Sequence, residues 1–416
     1  MANSIFIDIV YLIFAFISIY FTILFFLLYA KQRKSFHEMP AMKKFPSLSI
    51  IIPAYNEADT IAGTIRAVKS LDYPSKPEII VIDDGSTDET FKLASVFRGI
   101  KVLRKKNEGK ASALNLALKH IKTELVACVD ADSHPKSDAL LKSIPYFTDN
   151  ATAAVTASVF VNEPKTFAER LQNIEYTMII WARKLLEGLD SIYVTPGALS
   201  IYRTSVLKSI GGFDERNVTE DIEIAWRLLY NGYKIKMATD AEVFTRAPVS
   251  LKNWWRQRMR WNIGGMQTTF KYKGALFRQG FGSLGTFIIP FFSMSYILSL
   301  VGIAFFFYVF AKTFSEFAQF SSYVLALGGN PISYFNFVTL SDIFAVFGTI
   351  MFALSIVWVA FALTSLKKSI GGLKGIPYLL IYLSLYVTVF PLNLIQSSIR
   401  FLRGKHSWQL YSSVSK

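Results

Sequence analysis

This chain has little of what a soluble enzyme of its size carries. One cysteine, Cys128, in 416 residues excludes an internal disulfide framework. It lies in an apolar run, where inert core is its expected place. The four histidines, His37, His120, His134 and His406, are too scattered for a histidine-rich metal site. Charged residues make up only 18% of the chain against 52% hydrophobic ones, a balance too apolar for an ordinary globular protein. Acid is the scarcer charge: 30 Asp and Glu stand against 45 Lys and Arg, a net of +15. No nucleic-acid-recognition motif accompanies that excess, so nucleic acid is not expected as a partner. Anionic lipid and a diphosphate-bearing substrate fit it better. Internal repeats and low-complexity tracts are missing as well.

Long charge-free runs are what the chain does have. Residues 9–30, 279–311, 343–366 and 375–399 each lack any charge over a membrane-spanning length, and about 20 apolar residues suffice to cross the hydrocarbon core. One such run could be a buried core helix. Four in one chain are expected to be spans, with the lipid bilayer as a partner. No basic residue precedes the first run and no small-residue cleavage site follows it, so it reads as an anchor and not a signal peptide. Lys31, Arg33, Lys34, Lys43 and Lys44 come after it, which places the N-terminus outside and the next segment in the cytoplasm. At the C-terminal end the charges nearly tie. Three spans put Lys367, Lys368 and Lys374 inside, whereas a further span within 317–341 would put Arg400, Arg403 and Lys405 there. Gly328-Gly329-Asn330-Pro331 reads as a loop turn and favours three.

Between residues 45 and 240 the pattern changes to short β-rich runs alternating with amphipathic ones. Strands are expected at 47–54, 78–83, 100–103 and 125–129. Helices are expected at 57–71, 87–97, 109–121 and 137–147. Such alternation predicts a largely parallel sheet with helices on both faces. Ligands bind such sheets beyond the C-terminal strand ends, where Tyr55, Asp84 and Asp130 all fall. Residues 250–271 differ again. Leu251, Trp255, Met259, Ile263, Met266 and Phe270 recur at helical spacing, with Lys252, Arg256 and Arg260 in the adjacent row. This predicts an amphipathic helix at the membrane surface. The expected organisation is an anchor and basic linker (1–44), a cytoplasmic domain (45–248), interface helices (249–278) and a transmembrane region (279–416).

Four motifs carry chemistry. Asp130-Ala131-Asp132 follows a strand; paired hard carboxylates suit Mg²⁺ or Mn²⁺, with a diphosphate completing the shell. A solvated turn accounts for D-x-D equally well. Asp83-Asp84-Gly85-Ser86 also ends a strand, and Asp-Gly-Ser is by itself an ordinary turn. Lys110, at a predicted helix N-terminus, can meet a phosphate there, although no Walker spacing is present. Thr219-Glu220-Asp221 opens a helix, and capping would explain it. Alternatively Asp221 is a base that takes a proton from an acceptor hydroxyl. In Gln257-Arg258-Met259-Arg260-Trp261, Arg260 offers a permanent planar cation to a diphosphate. Trp261 offers a face to a sugar ring, and Gln257 can bond hydroxyls. A plain membrane anchor is the competing explanation.

Taken together, Asp84, Asp130-x-Asp132, Thr219-Glu220-Asp221 and Gln257-x-x-Arg260-Trp261 resemble the signature of the processive family 2 glycosyltransferases. These are the synthases of cellulose, chitin, hyaluronan and poly-N-acetylglucosamine. The likeness covers about residues 45–270, and 217–271 looks most like the bacterial poly-N-acetylglucosamine synthases. It implies a glycosyltransferase-A-type α/β domain with a mixed, mostly parallel sheet, plus an α-helical transmembrane region. Pro53, Tyr55 and Glu57 would line a uridine pocket with Asp84 beside them, and Lys110 would approach the donor phosphates. Asp130 and Asp132 would bind Mg²⁺ or Mn²⁺. Gly197 would border the acceptor path. Asp221, with Glu220 next to it, would be the base. Gln257, Arg260 and Trp261 would close over the diphosphate and the acceptor end. Ser133 stands where cellulose synthases tend to carry histidine, and Thr-Glu-Asp replaces the Gly-Asp-Asp usual in hyaluronan synthases. The expected activity is inverting polymerisation of a UDP-sugar, with UDP-N-acetylglucosamine the expected donor, at the plasma membrane, onto a growing polysaccharide that leaves across the membrane. The alternatives are a non-processive, ceramide-glucosyltransferase-like enzyme and a catalytically dead scaffold or transporter.

Overall fold

The computed structural model describes residues 2–42, 44–331, 343–369 and 375–404. An apolar helix, α1 (Ala2–Gln32), leads into an α/β domain. Its elements are β1 (Leu48–Ala54), α2 (Ile61–Lys69), β2 (Glu78–Asp83), α3 (Thr90–Ser95), β3 (Lys101–Arg104), α4 (Lys110–His120), β4 (Leu125–Cys128), β5 (Ser133–Pro135), α5 (Ala139–Ser143), β6 (Thr152–Val161), α6 (Phe167–Glu187), β7 (Ser200–Arg203), α7 (Thr204–Ser209), α8 (Glu220–Tyr230) and β8 (Lys234–Thr245). Four longer helices follow: α9 (Leu251–Tyr272), α10 (Ile289–Ala326), α11 (Ile343–Ser365) and α12 (Ile376–Leu402).

The strands form one eight-stranded sheet in the order β3-β2-β1-β4-β7-β6-β8-β5. The half containing β3, β2, β1 and β4 is parallel, as the alternation predicts. Beyond β4 the sheet becomes mixed: β7 runs antiparallel to β4 and β6, β8 parallel to β6, and β5 antiparallel to β8. Alternation of side chains along each strand divides the interior into two cores. Ile51, Ile80, Ile82, Val126 and Cys128 face one way, against α4, α6 and α8. Ile50, Ile52, Val81, Ala127 and Val129 face the other, against α2. From β1 the chain goes to β2 and β3 on one side and to β4 on the other. A crevice therefore opens between the C-terminal ends of β1 and β4, the usual ligand position in such sheets.

Among the described residues, four helical segments are long and apolar enough to cross a membrane: Phe6–Gln32, Leu284–Ala326, Gly348–Ser365 and Ile376–Leu402. The first three reach the domain's first core, to which Leu28, Leu284, Ile288 and Ala362 contribute, whereas the last packs through Leu379 on Ile174 and Val359. The charge-free run 279–311 leads into a longer helix than itself: α10 continues to Ala326, with Lys312 and Glu316 paired across one turn at 3.9 Å. Residues 317–326, part of the segment weighed as a further span, therefore belong to α10. Its remainder from 332 to 341 lies outside the described residues.

The helix α9 starts at Ser250, whose hydroxyl accepts the Asn253 amide at 3.3 Å. Met259 and Ile263 of its apolar row pack on Val218, next to the Thr-Glu-Asp segment. Its other side holds α12 through Asn262–Asn393 at 3.0 Å and Trp255–Gln396 at 2.6 Å. Only Lys252 and Arg256 of its basic row are exposed; Arg260 is half-buried. The expected surface helix is thus enclosed on several sides, since a helix rich in glycine at 264–265 admits close neighbours. A Cβ on Gly264 would meet the Thr219 side chain, so this glycine lets the start of α8 touch α9.

Candidate active site

The residues singled out at the strand ends converge on that crevice. Asp130 follows β4, and its amide donates to the Gly197 carbonyl at 2.9 Å. Asp132 accepts from the Ser133 and Thr245 hydroxyls, both at 3.2 Å. Burial, and then the neighbouring Asp130 charge, push Asp132 up to about 6. The pairing of β5 with β8 sets Ser133 opposite Thr245 and so fixes this turn. Gly197 leaves the space: a Cβ there would meet the Lys110 ammonium and lie 2.6 Å from Asp130 Oδ1.

Lys110 is the first residue of α4. Gly109 before it has φ 100°, a left-handed conformation that favours glycine. Asp84 organises this entry. Its carboxylate, 3% exposed, accepts from Lys105 Nζ at 3.0 Å and from the amides of Glu108 at 3.2 Å and Gly109 at 2.8 Å. Burial pushes Asp84 up despite these donors. The Lys110 ammonium then lies 2.6 Å from Asp130 and 2.8 Å from Glu220. Burial works against its charge, but Asp130, Glu220 and Asp221 outweigh that and raise it well above the usual lysine range. One cation thus joins the D-x-D turn to the Thr-Glu-Asp helix start.

The two acids of that helix start are driven apart. Burial raises Glu220, but Lys110 and Arg260 overcome it and hold the group ionised below the usual range. Asp221 is pushed up to about 6 by burial and then by Glu220, against Lys110 and Arg260. The capping explanation for Thr219 is not what the geometry shows. Its side chain makes no cap bond, and its hydroxyl donates to Asn217 Oδ1 at 3.2 Å.

Glu57 joins the cluster from the turn after β1. Burial first, with Asp132 and Asp130 adding, pushes it up to about 7 against the Thr60 hydroxyl and Arg246. Tyr55 is half-buried at the crevice, while Pro53 is buried inside β1. Gln257 and Trp261 lie farther along α9, against α6. Gln257 Oε1 accepts from Gln172 at 3.1 Å, and the Trp261 ring lies nearly parallel to Tyr176 at 6.5 Å.

Sequence reasoning missed Glu175, Gln172 and Tyr176 on α6, Thr245 and Arg246 at the end of β8, and Arg258. Arg258 had a local signal, since it stands four residues after Trp254 and three before Trp261, on one helical face. The residues on α6 had none beyond Thr166-x-x-Glu169, which forms the capping box that starts the helix.

Among the described residues, no group of three or more His, Cys, Asp or Glu forms a metal cage. The donor set nevertheless fits a divalent cation bound jointly with a diphosphate. Two carboxylates stand two residues apart, Asp132 pushed up by burial and then by Asp130, and the Lys110 ammonium lies beside Asp130 and Gly197.

Residues 49–211 match the family described as Glycosyl transferase family 2. The poly-beta-1,6-N-acetyl-D-glucosamine synthase of Staphylococcus epidermidis is 34% identical over 230 residues, 54% of this chain and 56% of the relative. The enzyme of the same name from Staphylococcus aureus strain MSSA476 is 31% identical over 266 residues, 62% of this chain and 64% of the relative. The chain thus spans 56 to 64% of the length of these relatives. The solved mannosyltransferase PcManGT of Pyrobaculum calidifontis, in complex with GDP-Man and Mn²⁺, superposes with a TM-score of 0.56 at 20% identity, over 94% of this chain and 98% of that one. Residues 49–211 are thus similar to a family 2 glycosyltransferase domain. The curled, mixed sheet is of the glycosyltransferase-A type, joined to several helices able to span a membrane.

Proposed function

We propose that the chain is a membrane-embedded, inverting glycosyltransferase that polymerises a UDP-sugar, with UDP-N-acetylglucosamine as the donor. The observation that carries this reading is Lys110, bonded at once to Asp130 and Glu220, with the charge of Arg260 acting on both Glu220 and Asp221. Lys110, the Asp130-x-Asp132 turn, Thr219-Glu220-Asp221 and Arg260 are spread over some 150 residues and meet in one cleft (Lys110 to Arg260). The names of the Staphylococcus relatives support the sugar and the polymer.

In this reading Tyr55 and Glu57 border the nucleoside, and Asp84 sets the loop that presents Lys110 to the phosphates. Asp130 and Asp132 hold Mg²⁺ or Mn²⁺, which when bound supplies positive charge to the departing diphosphate. The acceptor hydroxyl enters past Gly197 and gives its proton to an oxygen of Asp221. Its oxygen forms a bond to the anomeric carbon from the face opposite the diphosphate. The bond from that carbon to the phosphate oxygen breaks, and UDP leaves with the electron pair. One displacement inverts the anomeric centre. Lys110 and Arg260 offset the charge that builds on UDP. Gln257 and Trp261 hold the acceptor sugar. The catalytic domain faces the cytoplasm of the plasma membrane, and the product leaves through the spans.

The test is UDP release by purified membranes across a panel of UDP-sugars, with products sized on a gel. A ladder or smear from UDP-N-acetylglucosamine is expected. A single glycolipid band would convert the reading to a non-processive enzyme. No UDP release with any donor would leave a dead scaffold.

A further inference from the structure

The first arginine of the Gln257–Trp261 motif has a different environment from the second. Arg258 is 2% exposed. Its guanidinium pairs with Glu175 of α6, itself only 3% exposed, and donates to Gln257 Oε1 at 2.7 Å. It also lies over the Trp261 ring at 4.1 Å and over the Trp254 ring at 5.2 Å from the centroid. Trp254 Nε1 reaches Glu175 at 3.5 Å. Gln172, three residues before Glu175, donates to Gln257 Oε1 at 3.1 Å and to the Tyr176 hydroxyl at 2.9 Å. Tyr176 closes the ring of contacts, its plane tilted 20° from that of Trp261.

Two things follow from this arrangement. Gln257 has its carbonyl oxygen taken by two donors, so its amide nitrogen is the group it can offer to a hydroxyl. Trp261 has a guanidinium over its ring, a contact that the planar, weakly hydrated arginine head makes better than an ammonium. Stability alone does not call for this pair, because a buried ion pair replaced by apolar groups often leaves a fold as stable as before. What the pair does supply is one fixed geometry for two side chains.

We propose that Arg258 and Glu175 are positioning residues that lock Gln257 and Trp261 into the orientation in which they receive the acceptor sugar. The proposal rests on the glycosyltransferase reading, and it assigns the pair to acceptor placement, not to donor binding. Water can take the place of the acceptor in a slow side reaction, which releases UDP without needing the clamp. Donor hydrolysis and sugar transfer therefore respond differently to loss of the pair.

The experiment uses the full chain in detergent, with UDP-N-acetylglucosamine as donor probe and an N-acetylglucosamine oligosaccharide as acceptor probe. Arg258→Met alone leaves a carboxylate buried without its partner and is expected to melt at a lower temperature. The informative variant is the double change Arg258→Met with Glu175→Leu, which removes both charges and is expected to melt like the parent. Hydrolysis without acceptor is expected to stay within about threefold of the parent, while transfer falls by about 10²-fold, the scale of a small misplacement of reacting groups. Arg258→Lys keeps the charge without the fork and is expected to fall between them. Parental transfer by the double variant would overturn the proposal. An equal fall in hydrolysis and transfer would also overturn it, since that marks a general structural defect. If the parent neither releases UDP nor transfers sugar from any UDP-sugar, the glycosyltransferase reading fails first and this role goes with it.

Discussion

Asp221→Asn separates chemistry from architecture more cleanly than any other single change in the cleft. The Asp221 backbone carbonyl, not its side chain, accepts from the Thr195 amide at 3.2 Å and hydroxyl at 3.0 Å. Its Oδ1 accepts from the Ile222 amide at 2.9 Å, a bond that an asparagine oxygen keeps. The Lys110 bridge to Asp130 and Glu220 does not pass through it. Folding and donor binding are therefore expected to survive. The variant should also melt no lower than the parent. Asp221 is raised to about 6 by burial and by Glu220, so its ionised form opposes folding at pH 7, and a neutral amide removes that opposition. Transfer is expected to fall by about 10²–10⁴-fold, the usual contribution of a positioned base, or on the order of 3–5 kcal/mol in the barrier. The sign of the pH dependence follows from the same shift. The base works only when ionised, so parental activity should be full near neutrality and lost as pH falls through about 6. The assay is UDP release between pH 5 and pH 8, about the range in which such a group titrates, beside a thermal melt. Near-parental turnover by a folded Asp221→Asn protein would refute the base assignment.

Four further outcomes are expected. Chelation, or Asp132→Ala, should abolish transfer and be reversed in the first case by adding Mg²⁺ or Mn²⁺; full activity in chelator would dismiss the metal. Gly197→Ala should cut activity without unfolding the domain, because the added Cβ meets Lys110 and lies 2.6 Å from Asp130 Oδ1; a parental rate would mean that the lysine bridge is dispensable. Arg260→Lys should lower transfer, since an ammonium does not reproduce the planar fork, and equal kcat in the variant would count against diphosphate contact. Trp261→Ala should shorten or eliminate polymer while donor affinity, read by UDP-sugar titration, holds; polymer of parental length and rate would make α9 only an anchor.

The half of the fold that was legible is the half built from local pattern. Strands β1, β2 and β4 are short β-rich runs ending at turn residues, so both their positions and their ligand-facing ends were readable. The strand β6 was not read. All ten of its residues are buried, so TAAVTASVFV shows neither the alternation of a half-exposed strand nor a helical period. Its neighbour β8 was missed because its role is tertiary: it pairs with β6 and β5, and only that pairing brings Thr245 to Asp132. The motifs drew attention to Asp84, Lys110, Asp130, Asp132, Glu220, Asp221 and Arg260 by residue type and spacing. They did not reveal that Asp84 spends its carboxylate on the Lys105–Gly109 loop, since a bond between side chain and distant backbone has no sequence period.

The same distinction explains why α9 reads as a surface helix and folds as an enclosed one. Its apolar and basic rows are adjacent, not opposite, which for an isolated helix is poor amphipathicity. The structure turns that defect into three separate faces. Met259 and Ile263 meet Val218 beside the Thr-Glu-Asp segment. Asn262 and Trp255 meet Asn393 and Gln396 of α12. Gln257, Arg258 and Trp261 meet α6. The helix therefore joins the Thr-Glu-Asp start of α8, a candidate membrane span and α6 in one element. Since α9 shares its contacts between α8 and α12, a substitution at Asn393 that loosens α12 should change product length before it changes donor hydrolysis. Equal loss of both would show that the span supports the whole domain instead of the acceptor end alone.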